Sequence, residues 1–431
     1  MEDLLTLVRD EVDQLVQEGV EGVDADRLLA PIAGLAGPER ADALNRLYAD
    51  LAGCVPGPGF PYREPSDLDA IRAARPAQPA SLPPPAGAAL QDRILGAWLG
   101  RCAGCTLGKP VEGWRYETIK AYLDSAGAWP LDAYIPADGK RPDGVRWSPG
   151  QLASLRGKVD GMARDDDIDY TILGLHVLER FGRDFSTADV GAAWLDSLPY
   201  HQTYTAERVA YRNLVDGLAP PATATYRNPY REWIGAQIRA DIWGYVNPGA
   251  PDRAATMAYR DAALSHTRNG IYGEQLVAAM VAAALATDDI EQVIEQGLSV
   301  IPARCRLAEG IAEVRACHRM EPAWERCRRR IEERYGGYHW VHTIPNALVV
   351  VMALLYGERR FEETVCVAVA SGWDADCNGA TAGSILGAVL GASQLPAAWV
   401  APLHDRVRSA VAGFDGAAIS DLARRTMGMT K

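Results

Sequence analysis

From Asp92 onward the chain is built of stretches in which apolar and small residues follow one another without the alternation that a half-buried strand requires. DRILGAWLGRCAG, IDYTILGLHVLERFG, YGEQLVAAMVAAALAT, IPNALVVVMALLYG and GATAGSILGAVLGA each run for about three helical turns or more, which predicts buried helices packed on one another. Several carry glycine inside the helical pattern, where it costs about 1 kcal/mol relative to alanine. Such repetition points to close helix contacts or to backbone that must approach a ligand. The expected architecture is all-α, a compact helical bundle. Residues 1–52 predict two or three short helices of their own, and the prolines of 55–89 (PGPGFPY, then ARPAQPASLPPPAG) break the pattern before the bundle begins. The expected division is therefore an N-terminal helical extension with a proline-rich linker over 1–90, a main domain over 91–400 and a C-terminal tail helix over 401–431.

With 431 residues, 48% of them hydrophobic, the chain can bury a large core, which rules out disorder throughout and allows two domains or one large one. Its 41 glycines follow no triplet period, so it is not collagen-like. A formal net charge of −12 argues against general nucleic-acid binding, which needs clustered Lys and Arg. The acidic, amphipathic start MEDLLTLVRDEVDQLVQEGV has no signal-peptide pattern, and no apolar stretch is long enough to span a bilayer, so the expectation is a cytoplasmic protein without membrane contact. Eight cysteines are too few for a disulfide scaffold in so long a chain. Cys102 and Cys105 form the sole CxxC; lacking a second pair at zinc spacing, they read as small buried thiols.

Two acidic clusters carry the chemical signal. Asp165, Asp166, Asp167 and Asp169 fall within five positions just before an apolar helical run. One or two acids at a helix start are explained by its unpaired N–H groups and dipole. Four repel one another, with only Arg164 nearby in sequence to compensate, and a hard cation would resolve the conflict. Asp374 and Asp376 stand in SGWDADCNG, again before a small-residue helix and without neighbouring Lys or Arg. An EF-hand reading of Asp374, Asp376, Asn378 and Gly379 fails where its later ligands should be, at Ala380, Ala382 and Ile385. Oxygen ligands without a His or Cys cluster favour Mg²⁺ or Mn²⁺, and two such clusters facing one another across a bundle would suit a pair of ions.

The stretch GAWLGRCAGCTLGKPVEG is not a phosphate-binding loop, since Ala103 and Pro110 stand where GxxxxGK[ST] needs Gly and Ser or Thr. It offers instead Glu112 on a turn after a glycine-rich helix, where a carboxylate can act beside a metal-activated water. His201, His266, His339 and His342 form no HExxH or triad spacing, and His176 and His404 are blander still.

With these elements in order, the region from about Asp92 to about Ala398 resembles the ADP-ribosylglycohydrolase superfamily, which includes the dinitrogenase-reductase-activating glycohydrolases. GRCAGCTLGKPVEG, DDDIDYTILGLH, NPYREWIGAQIRADIWGYVNPG, LSHTRNGIYGEQLVAAM and SGWDADCNGATAGSILGA carry the likeness. The resemblance implies an orthogonal all-α bundle with a dimagnesium cleft that hydrolyses the bond from ribose C1 to nitrogen or oxygen. It assigns metal binding to Asp165, Asp166, Asp167, Asp374 and Asp376, and sugar contact to Glu112. Asn269, Gly270, Tyr272 and Gly273 resemble a loop approaching the distal ribose or its phosphates. Two hydroxyl ligands of the family are replaced, by Asp165 and by Cys377, a thiol that is a poor magnesium ligand.

The implied chemistry is a ribosyl hydrolase in which two Mg²⁺ (or Mn²⁺) ions orient the ribose hydroxyls and activate water, while Glu112, Asp166 or Asp167 acts at the reacting bond. The substrate would be an ADP-ribosylated protein, a free ADP-ribose conjugate or a nucleoside-like small molecule. A metal-dependent phosphohydrolase is a rival distinguished by release of inorganic phosphate. A second rival is a non-catalytic protein that binds ADP-ribose tightly without cleaving it.

Overall fold

The computed structural model describes residues 3–76 and 81–430; part of the proline-rich stretch, 77–80, and the terminal residues 1, 2 and 431 lie outside the described residues. Twenty-two α-helices and one two-stranded antiparallel ribbon, Arg406–Val407 with Ala417–Ala418, make up the regular structure among the described residues. The all-α expectation holds. Nine helices position the site and are numbered here: α1 (Leu4–Gln17), α2 (Gly37–Leu51), α3 (Ala88–Gly108), α4 (Asp166–Phe181), α5 (Arg268–Ala284), α6 (Trp324–Tyr335), α7 (Thr343–Tyr356), α8 (Ala375–Leu390) and α9 (Ile419–Gly428).

The glycine repeats find their reason in the central pair. Helices α3 and α8 run antiparallel, with Gly96, Gly100, Gly104 and Gly108 set against Gly387, Gly383, Gly379 and Ala375. A Cβ at Gly104 would lie 1.9 Å from the Gly379 carbonyl oxygen, and one at Gly100 would lie 2.1 Å from that of Gly383. The two backbones touch, which no other residue type permits. Around this pair α5 and α7 are buried along nearly their whole length, and Ala-rich and Val-rich faces fill a single large core.

Helix α9 docks on α3 through Trp98, whose Nε1 donates to Thr426 Oγ1 at 3.1 Å. The N-terminal helices α1 and α2 bury a small core of their own, including Val8, Val12, Leu15, Leu44 and Tyr48. They are also tied to the main bundle by buried charge: Arg231 meets Glu11 at 2.9 Å and Glu18 at 2.8 Å, while Arg306 meets Glu64 at 2.8 Å and Glu232 at 2.7 Å. No helix among the described residues is long and apolar enough to cross a membrane.

Candidate metal centre and active site

Because α3 and α8 are antiparallel, the residues that follow α3 meet those that begin α8. Lys109 and Glu112 thereby come beside Asp374 and Asp376, and α4 delivers Asp165, Asp166 and Asp167 to the same place. These residues line one cavity of about 500 Å³, walled by Trp233, Trp340 and Tyr204. Asp165 caps α4, its side chain accepting from the Asp167 amide at 3.1 Å. Asp374 precedes α8 on a turn held by Asn346, whose Oδ1 accepts from the Asp374 amide at 3.1 Å and from Asn378 Nδ2 at 2.8 Å. Asn346 Nδ2 in turn donates to the carbonyls of Trp340 and His342.

Ligand atoms of Asp165, Asp167, Asp376 and Cys105 lie within 4.8 Å of one another, as do those of Asp374, Asp376 and Cys377. Asp167 Oδ1, Asp374 Oδ1 and Asp376 Oδ1 are buried without any hydrogen-bond partner. Buried carboxylate oxygens without hydrogen bonds are costly, and at Asp167 the offset is an ion pair with Arg101 Nη2 at 3.6 Å. A divalent cation among hard oxygen donors fits this set. The two thiols are spectators to that fit: burial above all, and then the neighbouring carboxylates, raise Cys105 and Cys377 and keep them protonated when no cation is bound.

Burial first and neighbouring acids second also govern the carboxylates. Asp166 is pushed up to about 8, mainly by burial and then by Asp165. Asp376 rises to about 6 for the same two reasons, with Lys109 opposing. Asp167 and Asp374 rise well above the usual carboxylate range. Glu112, exposed at the cavity mouth, is raised by Asp376 before any other cause. Asp165 is the exception: burial would raise it, but the ammonium of Lys109, in direct ion-pair contact, brings it below its ordinary value. Asp169, the fourth acid of the cluster, turns away. It pairs with Arg164 at 2.7 Å and accepts from Ser409 Oγ and the Ala410 amide.

Four residues expected near a distal ribose do not reach this cavity. Asn269 is buried against Glu232, donating to it from backbone and side chain, and the Tyr272 hydroxyl donates to the Pro65 carbonyl. A Cβ at Gly270 would meet the Arg231 carbonyl oxygen at 2.4 Å, and one at Gly273 would meet Thr343 at 2.5 Å. The N-terminal extension and the turn around Glu232 occupy the space beside these first turns of α5. Conversely, sequence patterns did not single out Lys109, Asn346, Trp233 or Trp340. Lys109 stands three residues before Glu112, but its partner Asp165 lies 56 positions away. Arg101, buried in α3, was also missed: it donates to the Asp167 and Ile238 carbonyls and to Asp241, fixing the start of α4. Of the histidines, His342 and His266 are buried and neutral, burial lowering both, His342 to about 3. His339 stacks on Trp233 at 4.2 Å on the cavity wall.

An all-α bundle that gathers Asp165, Asp166, Asp167, Asp374, Asp376 and Glu112 from three distant segments into one cleft defines a class of helical proteins with an acidic cleft able to hold a divalent cation. The family model for ADP-ribosylglycohydrolases matches residues 86–430, and the chain belongs to that family. A solved structure described as an ADP-ribosylglycohydrolase-related protein complex shares 22% identity and a TM-score of 0.52, over 79% of this chain and 99% of that one; the likeness supports the fold. No curated protein gives a significant match to the sequence.

Proposed function

We propose that this chain hydrolyses the glycosidic bond between ribose C1 and a nitrogen or oxygen atom, in an ADP-ribosyl or nucleoside-like substrate, with Mg²⁺ or Mn²⁺ as cofactor. The observation that carries the reading is the set of buried carboxylate oxygens without a hydrogen-bond partner on Asp167, Asp374 and Asp376, in one cleft that also holds Asp165, Asp166 and Glu112. Family membership supports a hydrolase acting on such bonds. Asp167, Asp374 and Asp376 would hold the cation, with Asp165 and Asp166 at its side. When bound, it would supply Lewis acidity toward ribose oxygens and lower the pKa of a nearby water.

The remaining chemistry belongs to the chain. Glu112, whose hold on a proton its acidic neighbours strengthen in the metal-free protein, is placed to give a proton to the departing atom as the ribose takes on oxocarbenium character. Asp166, half-buried on the same wall, accepts the proton of the attacking water. Trp233 and Trp340 cover the sugar and restrict bulk water.

The test is product analysis on ADP-ribosylated protein, ADP-ribosyl-arginine and simple ribosides with added Mg²⁺ or Mn²⁺. Release of a free ribose hydroxyl with its aglycone is expected; inorganic phosphate would favour a phosphohydrolase, and tight ADP-ribose binding without turnover a binding protein. Asp167→Ala and Asp376→Ala should abolish turnover in folded protein. Glu112→Gln should lower kcat by about 10²–10⁴-fold, as loss of a general acid does. Normal turnover and metal content in both aspartate variants would overturn the assignment.

A further inference from the structure

Beyond Trp340 a second cavity of about 360 Å³ adjoins the metal cleft, sharing His339 and Trp340 with it. Its wall is aromatic: Trp114, Tyr116, Tyr338 and Trp373 join Trp340 there. The segments that bring acids to the cleft also bring these rings. Glu112 faces the cleft and Gly113–Tyr116 line the second cavity; Asp374 faces the cleft and Trp373 lines the second cavity. The two segments are stitched together, the Gly113 amide donating to the Trp373 carbonyl at 3.1 Å and Arg115 bridging Gly372.

Trp373 holds a left-handed backbone, φ +58°, a conformation that a bulky residue adopts only when its surroundings impose it. Strain of that kind collects at functional positions. Behind the ring, the guanidinium of Arg328 on α6 is 4% exposed, 4.3 Å from the Tyr116 ring centre and 5.5 Å from that of Trp373. Glu332 balances its charge, so Arg328 backs the rings as a neutralised cation; Arg115, which also lines the cavity, is solvent-exposed. Flat rings stacked by cations present broad faces to another flat ring.

We infer that this second cavity is the leaving-group subsite, and that it accepts a planar heteroaromatic ring. The inference rests on the proposed ribosyl hydrolase. With the ribose over Asp167, Asp374 and Asp376 and its C1 toward Glu112, the departing atom points to Gly113 and the group behind it passes Trp340 into the aromatic cavity. The cleft's other arm, along Trp233, Ile234 and Gly235, is left for the rest of the substrate. Heteroaryl N-ribosides are therefore the preferred substrate class, ahead of conjugates to flexible arginine or serine side chains.

The test uses the full chain and free nicotinamide, uracil and adenine as probes of the subsite, followed by tryptophan fluorescence and by competition in the Asp376→Asn variant, which is expected to lack turnover. At least one base should bind in both wild type and Asp376→Asn. Trp373→Gly, which also relieves the backbone strain, and Tyr116→Ala should weaken that binding by about 5–100-fold, the range for losing one base–aromatic stack, with metal content unchanged and a cooperative melting transition retained. On substrates, the same variants should lower kcat/KM for a heteroaryl riboside far more than for ADP-ribosyl-arginine. Absence of binding by all three bases overturns the inference while leaving the hydrolase reading intact. So does an equal loss on both substrates, or weakened binding of AMP and ADP-ribose in place of the bases. If bases bind but no riboside is cleaved, the hydrolase reading fails and the ring-binding site stands.

Discussion

Lys109 is the residue on which the electrostatics of the cleft turns. Its ammonium contacts Asp165 directly and opposes the mutual repulsion of Asp376, Asp166 and Glu112. Lys109→Met should therefore destabilise the metal-free protein by about 3–5 kcal/mol, the cost of leaving a buried charge unpaired. Added Mn²⁺ should recover part of that loss, because a divalent cation supplies the missing positive charge. Urea unfolding with EDTA and with Mn²⁺ measures both; equal stability of variant and wild type in EDTA would remove Lys109 from this role. The acids were legible in the sequence because four carboxylates in five positions need an explanation that helix capping does not exhaust. Lys109 was visible as well, but only as a failed match to a phosphate loop, since a partner 56 residues away leaves no local trace. Asn346 is the same case: nothing in IPNALVVV announces that its amide holds the turn before Asp374.

At the scale of elements, the repeated glycines announced close packing without saying which helices pair. The answer, α3 against α8, depends on an antiparallel register that brings Gly96 to Gly387 and Gly108 to Ala375. The same register carries Glu112 to Asp374, so the fold and the site share one cause. Gly104→Ala tests it. Alanine gains about 1 kcal/mol of helix propensity, but its Cβ would sit 1.9 Å from the Gly379 carbonyl oxygen, and two backbones would have to separate. A net loss of several kcal/mol is expected, of the order seen for overpacked cores or more, together with loss of metal binding. Gly428→Ala, at the end of α9 where nothing lies within 4 Å, should be neutral or slightly stabilising. Thermal melts of the two variants separate propensity from contact; a stable, metal-binding Gly104→Ala would show that the pair can open without disturbing the cleft. At this scale the expectation for α5 finds no counterpart in the lining of the cleft. The helix's glycines and Asn269 resembled a ligand loop, yet they serve packing against Arg231, Thr343 and Glu232, because a close approach to backbone and a close approach to ligand ask for the same residue.

For the whole molecule, the charge of −12 is not evenly spread. Several acids belong to the cleft, and others, Glu11, Glu18, Glu64 and Glu232, are spent on buried arginines that fasten the N-terminal extension. These pairs join residues as much as 242 positions apart, which is why the extension's attachment could not be read from its composition. The cleft makes stability depend on pH in a direction that follows from its acids. Asp376 at about 6 and Asp166 at about 8 both stand above their ordinary value of 3.8, so the native metal-free chain binds more protons than the unfolded chain between these limits. Their contribution is fully present below about pH 4 and is lost as pH rises through 6 and 8. A cation competes with those protons for the same oxygens. The rise in Tm produced by saturating Mg²⁺ or Mn²⁺ over EDTA should therefore grow steadily from pH 5 to pH 8.5, roughly the window in which these two acids would otherwise ionise. Asp166→Asn should reduce the growth without ending it, because Asp167 and Asp374, also raised, still hold protons against the cation. Calorimetric scans across that range decide it: a metal-induced Tm shift that stays flat with pH would mean that these carboxylates are not the ones the cation engages.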